Sequence, residues 1–307
     1  MPFQPGLRHL KRRLRPYKTV PAVDEWLFEQ GLRQILMLRA AGVAIEGATV
    51  LELGSGWHPV IPVLLRASGA RRVVLTDLER LLDLPLLKSA FAAVHARRAA
   101  VAARLGLDPS GLKEDLARFE QDPDLFCALE RLGLSYRVPF DPSELAADSL
   151  DVVVSRAVLE HVAPARLEDM AAAFHRALRP GGVMCHVIDN SDHWQHKDKS
   201  ISRVNFLRYD DALWRWTSVN PQAYQNRLRH GDYLALFARR GFRILREESE
   251  IDEAALSELE TMRLARRFHA TPKIELAKIT SYIVVQKPGA RARGSAKDDR
   301  SGHETDG

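Results

Sequence analysis

The stretch Val50-Leu-Glu-Leu-Gly-Ser-Gly-Trp-His-Pro59 decides how this chain folds. An apolar run ending in an acidic residue and a Gly-x-Gly turn reads as a buried parallel strand. The loop after it lets backbone pass close to a ligand before a helix begins. Gly54 and Gly56 open backbone angles closed to other residues and add no side-chain bulk. Pro59 suits the first helical turn, where a missing N–H costs nothing. A second strand follows at Arg72-Val-Val-Leu-Thr-Asp77, its carboxylate about twenty residues past the turn, the layout of a nucleoside site at the switch point of a doubly wound sheet.

A dinucleotide fold wants a third glycine three residues after the second, to pack helix and strand around a pyrophosphate. Here that position is Pro59, and no glycine follows until Gly69. Glu52 points the same way: a carboxylate beside the cradle repels a pyrophosphate but attracts an amino group or a sulfonium. S-adenosylmethionine carries both cations and no phosphate, so the charges favour it over NAD or FAD.

With these residues the chain resembles the class I S-adenosylmethionine-dependent methyltransferases. Leu51-Glu-Leu-Gly-Ser-Gly56 looks like the family's first motif, and Val73-Val-Leu-Thr-Asp77 like its second strand. Ser149-Leu-Asp-Val-Val-Val-Ser-Arg-Ala-Val-Leu-Glu-His161 looks like its fourth strand and following loop. Leu178-Arg-Pro-Gly-Gly-Val-Met184 looks like the turn into its fifth. The four motifs run in family order, and the chain departs at Trp57-His58, where many members carry a further glycine. Within the family it is most similar to bacterial enzymes that methylate small molecules or sugars, the type 11-like subgroup.

The resemblance implies a Rossmann-like, doubly wound α/β fold: a seven-stranded sheet, mostly parallel with one antiparallel strand, with helical additions. It also implies roles. Asp77 accepts hydrogen bonds from both ribose hydroxyls, with Leu78 beside it; a helix N-cap is the competing role. Gly54, Ser55 and Gly56 offer backbone N–H groups to the methionyl carboxylate, helped by the helix N-terminus behind them. Glu52 meets the methionyl ammonium or else orders the loop. Asp141 follows strand three, where the family often contacts adenine, although Pro142 suits a plain turn. Ser155 and Arg156 end strand four and border the reacting methyl, with an Arg156–Glu160 pair as the alternative.

Composition bounds the rest. At 307 residues, 24–287 reads as one methyltransferase domain, with a helical insertion at 80–132 and a substrate lid at 190–230. Cys127 and Cys185 are too few for a disulfide framework or a zinc site, which makes a reducing cytoplasm the expectation. The formal charge of +5 owes much to Arg8-His-Leu-Lys-Arg-Arg-Leu-Arg-Pro-Tyr-Lys18, within a basic arm over 1–23. That arm suits an anionic lipid or nucleic acid, or is simply solvated. It lacks the apolar core of a signal peptide, and no run of about 18 apolar residues suggests a spanning helix. The tail at 288–307 has the composition of a disordered segment.

Strands are expected at 49–53, 72–76, 135–138, 150–155 and 183–188. The segments 242–247 and 279–286 close the sheet as an antiparallel pair. Helices are expected at 24–41, 170–178 and 233–240, with two or three in the insertion.

Methyl transfer to an alcohol needs a base to take the acceptor's proton. The candidates lie just past strand five, in Asp189-Asn-Ser-Asp-His193-Trp-Gln-His196, at the carboxyl edge where an acceptor sits. His193 suits the role because imidazole titrates near neutrality, with Asp192 or Asp189 orienting it; a solvent-facing loop with capping acids is the competing account. Glu160-His161 reads as a structural dipeptide before a catalytic one. A metal is not expected at Asp189, His193 and His196: magnesium prefers oxygen, and zinc a more closed ligand set. Trp214-Arg-Trp216 and Tyr224-Gln-Asn-Arg-Leu-Arg229 supply aromatics and guanidiniums for a lid over a polar acceptor, or for an amphipathic helix.

These readings favour O-methylation of a small molecule or saccharide. A nucleic-acid methyltransferase is the catalytic alternative. Against it, strand four ends in Ser-Arg-Ala-Val158, not Asp/Asn-Pro-Pro-aromatic, and neither cysteine follows a proline. A cofactor-binding fold without turnover is the non-catalytic alternative.

Overall fold

The computed structural model describes residues 25–106, 122, 124–217 and 224–289. The basic arm and the tail from residue 290 onward lie outside them.

In chain order the elements are α1 (Glu25–Ala40), β1 (Thr49–Leu53), α2 (Val60–Ala67), β2 (Arg72–Thr76), α3 (Leu84–Ala96) and α4 (Arg98–Leu105). Next come α5 (Leu125–Arg131), β3 (Leu134–Arg137), β4 (Leu150–Arg156), α6 (Pro164–Ala177), β5 (Leu178–Asp189) and α7 (Asp211–Thr217). The chain closes with α8 (His230–Arg239), β6 (Arg243–Ile251), α9 (Glu253–Glu258), α10 (Lys273–Leu276) and β7 (Lys278–Gln286). No helix among the described residues is long and apolar enough to cross a membrane.

The seven strands form one sheet in the order β3-β2-β1-β4-β5-β7-β6, and β7 alone runs antiparallel to its neighbours. This is the Rossmann-like architecture with one antiparallel strand. Register sets the site: Leu53 pairs with Thr76 on one side and Ser155 on the other, and Arg156 pairs with Val187. The carboxyl ends of β1, β2, β4 and β5 therefore share one edge, where ligands bind in open α/β sheets.

Strand residues alternate between two faces. Val50, Val152, Val154, Cys185 and Val187 pack with α1–α5 in one apolar cluster. Leu51, Leu53, Val153, Met184 and Ile188 pack with α6 and α8 in another. By the same alternation Glu52 and Arg156 fall on the α1 face, and Ser155 and His186 on the opposite one. Helix α1 is fastened to the sheet by Gln34, whose Nε2 donates to the Ser155 and Cys185 carbonyls at 2.9 and 2.8 Å. The described helices of the 80–132 segment contribute Leu86, Leu87, Phe91, Val101 and Leu129 to the first cluster.

Three differences from the expected elements have plain causes. Helix α6 begins at Pro164, before the expected 170, because its first three residues are exposed and Leu167 alone does not show a period. Strand β5 begins at Leu178, which pairs with Leu150; Arg179–Gly182 then bulges out, with Gly181 at φ +84, before pairing resumes at Val183. A third apolar cluster joins Val204, Phe206 and Trp214 to Leu259, Met262 and Phe268 from the β6–β7 connection. Those two segments are far apart in sequence, and each is too short to show its own period.

Candidate active site

The loop after β1 is held by β2. The N–H groups of Gly54 and Ser55 both donate to the Thr76 carbonyl, at 3.0 and 2.9 Å. The Gly56 N–H donates to Asp77 Oδ2 at 3.0 Å. All three amides, expected to face a ligand carboxylate, make hydrogen bonds within the protein. Helix α2 has no side-chain cap, and within its first turn the Val60 and Val63 N–H groups donate to the His58 and Pro59 carbonyls while Pro62 has none. Where many relatives have glycine, Trp57 packs its ring against the first apolar cluster.

Glu52 is buried, and its Oε2 has no hydrogen-bond partner. Burial, with the nearby charge of Asp77, pushes its carboxyl up to about 8, against the opposing pull of Ser55 and Arg156. An orphaned buried carboxyl beside a glycine turn fits the ammonium of S-adenosylmethionine, which would supply the missing donors. Asp77 Oδ1 accepts the Leu78 N–H at 2.8 Å. With Gly56 on Oδ2, each oxygen keeps a lone pair for one of two vicinal hydroxyls. Leu78 is 78 % exposed and lays an apolar surface beside that carboxylate. Among the cofactor's parts, the ammonium, the ribose diol and an apolar ring edge thus all have a matching residue.

Two expected contacts look different in the fold. Ser155 is fully buried; its Oγ pairs with His186 Nδ1 at 2.8 Å on the face away from Glu52, so its hydroxyl does not border the cleft. A sequence read without its face cannot show this, because the strand is apolar on both sides. Asp141 is exposed, and its Oδ1 caps the turn Pro142–Glu144 through the Ser143 N–H at 2.9 Å, which lowers its pKa. Arg156 lies over the Trp26 ring at 4.2 Å and acts electrostatically on both Glu52 and Glu160.

Across the same edge, β5 ends at Asp189, whose Oδ2 lies 3.2 Å from His193 Nε2 and 3.6 Å from His196 Nε2. The His193 contact is an ion-pair approach, set at an angle that does not make a hydrogen bond. Ser191 fixes the other oxygen, donating its N–H and Oγ–H to Asp189 Oδ1 at 2.9 and 2.6 Å. Burial works to raise the Asp189 pKa, but His193 and Ser191 outweigh it and hold it down to about 2. Asp189 is therefore the partner of His193. Asp192, the other candidate, accepts the Trp194 N–H on Oδ1 and Asn205 Nδ2 on Oδ2, and burial raises its pKa.

Glu160 and His161 complete this end. Glu160 is 3 % exposed, and neither carboxylate oxygen makes a hydrogen bond of good geometry. Burial, then the charge of Asp189, pushes its pKa well up. His161 Nδ1 pairs with the Tyr224 carbonyl at 2.8 Å, and its ring centroid lies 4.9 Å from that of His193.

The residues that hold these groups come from 224–229, which the sequence offered as a lid or an amphipathic helix. A strap at 224–229 crosses both loops. Gln225 Oε1 accepts the His193 N–H at 3.0 Å, and its Nε2 donates to the Ser191 carbonyl at 2.8 Å. Asn226 Nδ2 donates to the Leu159 and Val162 carbonyls at 2.8 and 2.9 Å, gripping the turn that carries Glu160 and His161. Arg229 is buried, and its guanidinium donates to the Asn190, Leu276 and Lys278 carbonyls. Trp214, expected in a lid, is buried beneath Arg227 in the third cluster and donates Nε1–H to the Gln225 carbonyl. Polar side chains in an aperiodic stretch gave no signal that could have separated strap from loop.

A model of the family described as "Methyltransferase domain" matches residues 23–247. No match was found among curated proteins. Among solved structures, the chain is similar to an S-adenosylmethionine-dependent methyltransferase from Mesorhizobium loti, at 18% identity and a TM-score of 0.46, over 82% of this chain and 96% of that one. It is also similar to phosphoethanolamine N-methyltransferase 2 from Haemonchus contortus, solved with S-adenosyl-L-methionine, at 15% identity and a TM-score of 0.44, over 83% of this chain and 52% of that one.

Proposed function

The chain belongs to the methyltransferase-domain family, an S-adenosylmethionine-dependent enzyme of class I, and from that premise we propose that it methylates a hydroxyl of a small molecule or saccharide. One observation carries the reading. β1, β4 and β5 end on one edge of the sheet, which sets the buried Glu52 of the cofactor end and the Asp189–His193 pair along the same cleft.

The cofactor supplies an activated methyl on a sulfonium, which leaves the protein to align, shield and deprotonate. When bound, the cofactor's ammonium would be held by Glu52 and its ribose diol by Asp77. Leu78 and the neighbourhood of Asp141 flank the adenine. Domain residues 24–287 contain all of these, and the expected lid at 190–230, described at 190–217 and 224–230, borders the acceptor end. His193 takes the hydroxyl proton, with Asp189 stabilising the imidazolium that forms. Holding the reactants in line is the larger part of the rate, as for any displacement in which the leaving group is already activated.

The test is transfer of labelled methyl from S-adenosylmethionine to panels of saccharides and small alcohols, to amines, and to RNA and DNA. Label recovered as alkali-stable ethers supports the reading. Label confined to nucleic acid or to amines overturns it.

A further inference from the structure

We propose that Glu160, His161 and His193, with Asp189 and His196 beside them, bind one first-row divalent cation that holds the acceptor oxygen. The proposal rests on reading this cluster as the acceptor end of the cleft. Sequence spacing offered only Asp189, His193 and His196, an open set; the fold adds Glu160 and His161 from the turn after β4.

Three observations support it independently. Two overlapping trios, Glu160–His161–His193 and Asp189–His193–His196, each have one ligand atom per residue within 4.8 Å of the others. Two ligands on one ion at about 2.0–2.2 Å lie at most about 4.4 Å apart, so closure needs movements of a few tenths of an ångström. Second, Glu160 is a buried carboxylate whose two oxygens lack good hydrogen bonds, and it faces a second carboxylate, Asp189. Burying such a pair is costly unless a cation joins it. Third, His161 gives its Nδ1 to the Tyr224 carbonyl, which leaves the Nε2 lone pair facing His193. A ligating imidazole is usually fixed in this way through its other nitrogen.

Two imidazoles and a carboxylate suit manganese, iron, cobalt or zinc over magnesium or calcium, which prefer oxygen alone. In the loaded protein His193 is a ligand, no longer the base. A lone pair of the acceptor oxygen, held on the ion, forms the new bond to the methyl carbon, and the O–H pair stays on oxygen. The C–S pair returns to sulfur, and the proton passes to water.

The experiment is equilibrium dialysis of the purified full-length chain, stripped with EDTA, against Co²⁺, with metal content and visible absorption read together. The expected result is one equivalent bound with a visible ligand-field band. Glu160→Gln and His161→Gln should each weaken binding at least tenfold, while His269→Ala, a histidine outside the cluster, should leave it unchanged. Glu160→Gln is nearly isosteric, and far-UV circular dichroism checks that each variant is folded. No bound cobalt in the wild type, or equal binding by folded Glu160→Gln and His161→Gln, overturns the proposal. S-adenosylmethionine binding, measured separately by calorimetry, keeps the two readings apart. Cobalt binding without cofactor binding fails the function alone, and the reverse fails the metal site alone.

Discussion

Asp77 Oδ2 accepts the Gly56 N–H at 3.0 Å, which makes the carboxylate at the end of β2 the anchor of the loop after β1. The same group then has two tasks, to hold the loop and to receive the ribose. Hydrogen bonds to a charged group contribute about 1.5–3 kcal/mol each. Asp77→Ala should therefore weaken S-adenosylmethionine binding at least tenfold by calorimetry and leave the sheet folded. Asp77→Asn keeps one acceptor and should fall between. An unchanged dissociation constant in Asp77→Ala would remove this residue from the ribose site.

The two glycines of the loop should fail in different ways. A Cβ on Gly54 would stand 2.5 Å from Val158 Cγ2, and its φ is +73. Gly54→Ala thus meets both a wall and a backbone penalty, and should cost on the order of 1–3 kcal/mol of stability. Val158→Ala relieves only the steric part. A Cβ on Gly56 would meet nothing within 4 Å, though its φ is +63. Gly56→Ala should cost about 1–2 kcal/mol of stability but should weaken cofactor binding more than that, because the new methyl points into open space at the cradle. Denaturant unfolding beside calorimetry separates the two.

Local motifs made the parallel part of the fold legible. Leu51–Gly56, Val73–Asp77 and Leu150–Ser155 are short apolar runs with a turn or an acid at one end, and each became a strand where expected. The face of a side chain was not legible in these runs, since a doubly buried strand shows no alternation. That is why Ser155 was placed at the methyl when it points at His186. What the strap grips was not legible for another reason. Gln225, Asn226 and Arg229 act by bonding carbonyls contributed by loops some 35–65 positions away in the chain, and a carbonyl leaves no mark on sequence. Glu160 and His161 were seen and set aside as structural, since nothing in their spacing brings them to Asp189.

Glu52 should give the protein a falling stability profile. Its native pKa, about 8, lies above the ordinary glutamate value of 4.5. Between those values the folded form holds a proton that the unfolded form has lost. The stabilisation is fully present below about pH 4.5 and is lost as pH rises through about 8, on the order of a few kcal/mol in all. Glu52→Gln should flatten this slope in urea titrations across pH 5–9. Part of it should remain, because Glu160 is shifted in the same direction. A wild-type stability that rises with pH over this range would contradict the burial of an uncharged Glu52.

Asn226 should tolerate neither of its obvious replacements. Its amide donates twice, to Leu159 and Val162, and its oxygen accepts the Leu228 N–H at 2.9 Å and the Tyr233 hydroxyl at 3.1 Å. Asn226→Ala leaves these groups unpaired at roughly 1–3 kcal/mol each where no water reaches them. Asn226→Asp has the same shape but turns a carboxylate oxygen toward two carbonyls, and should be the worse of the two above pH 6. Both should lower turnover more than cofactor affinity, since the turn they release carries Glu160 and His161.

His193 sits between Asp189 and the rings of His161 and His196, with its backbone N–H held by Gln225. Whether it takes the acceptor's proton or binds an ion that does the same work, its imidazole is needed at the acceptor and not at the cofactor. General acid–base catalysis contributes about 10²–10⁴-fold. His193→Ala should lower the single-turnover methylation rate by about 100-fold or more and leave the dissociation constant for S-adenosylmethionine within twofold. Asp189→Asn should lower the rate less, because it keeps a polar partner for the ring but loses the charge. A His193→Ala protein with full turnover would move the chemistry elsewhere on the edge. Loss of cofactor binding in that variant would place His193 on the wrong side of the cleft.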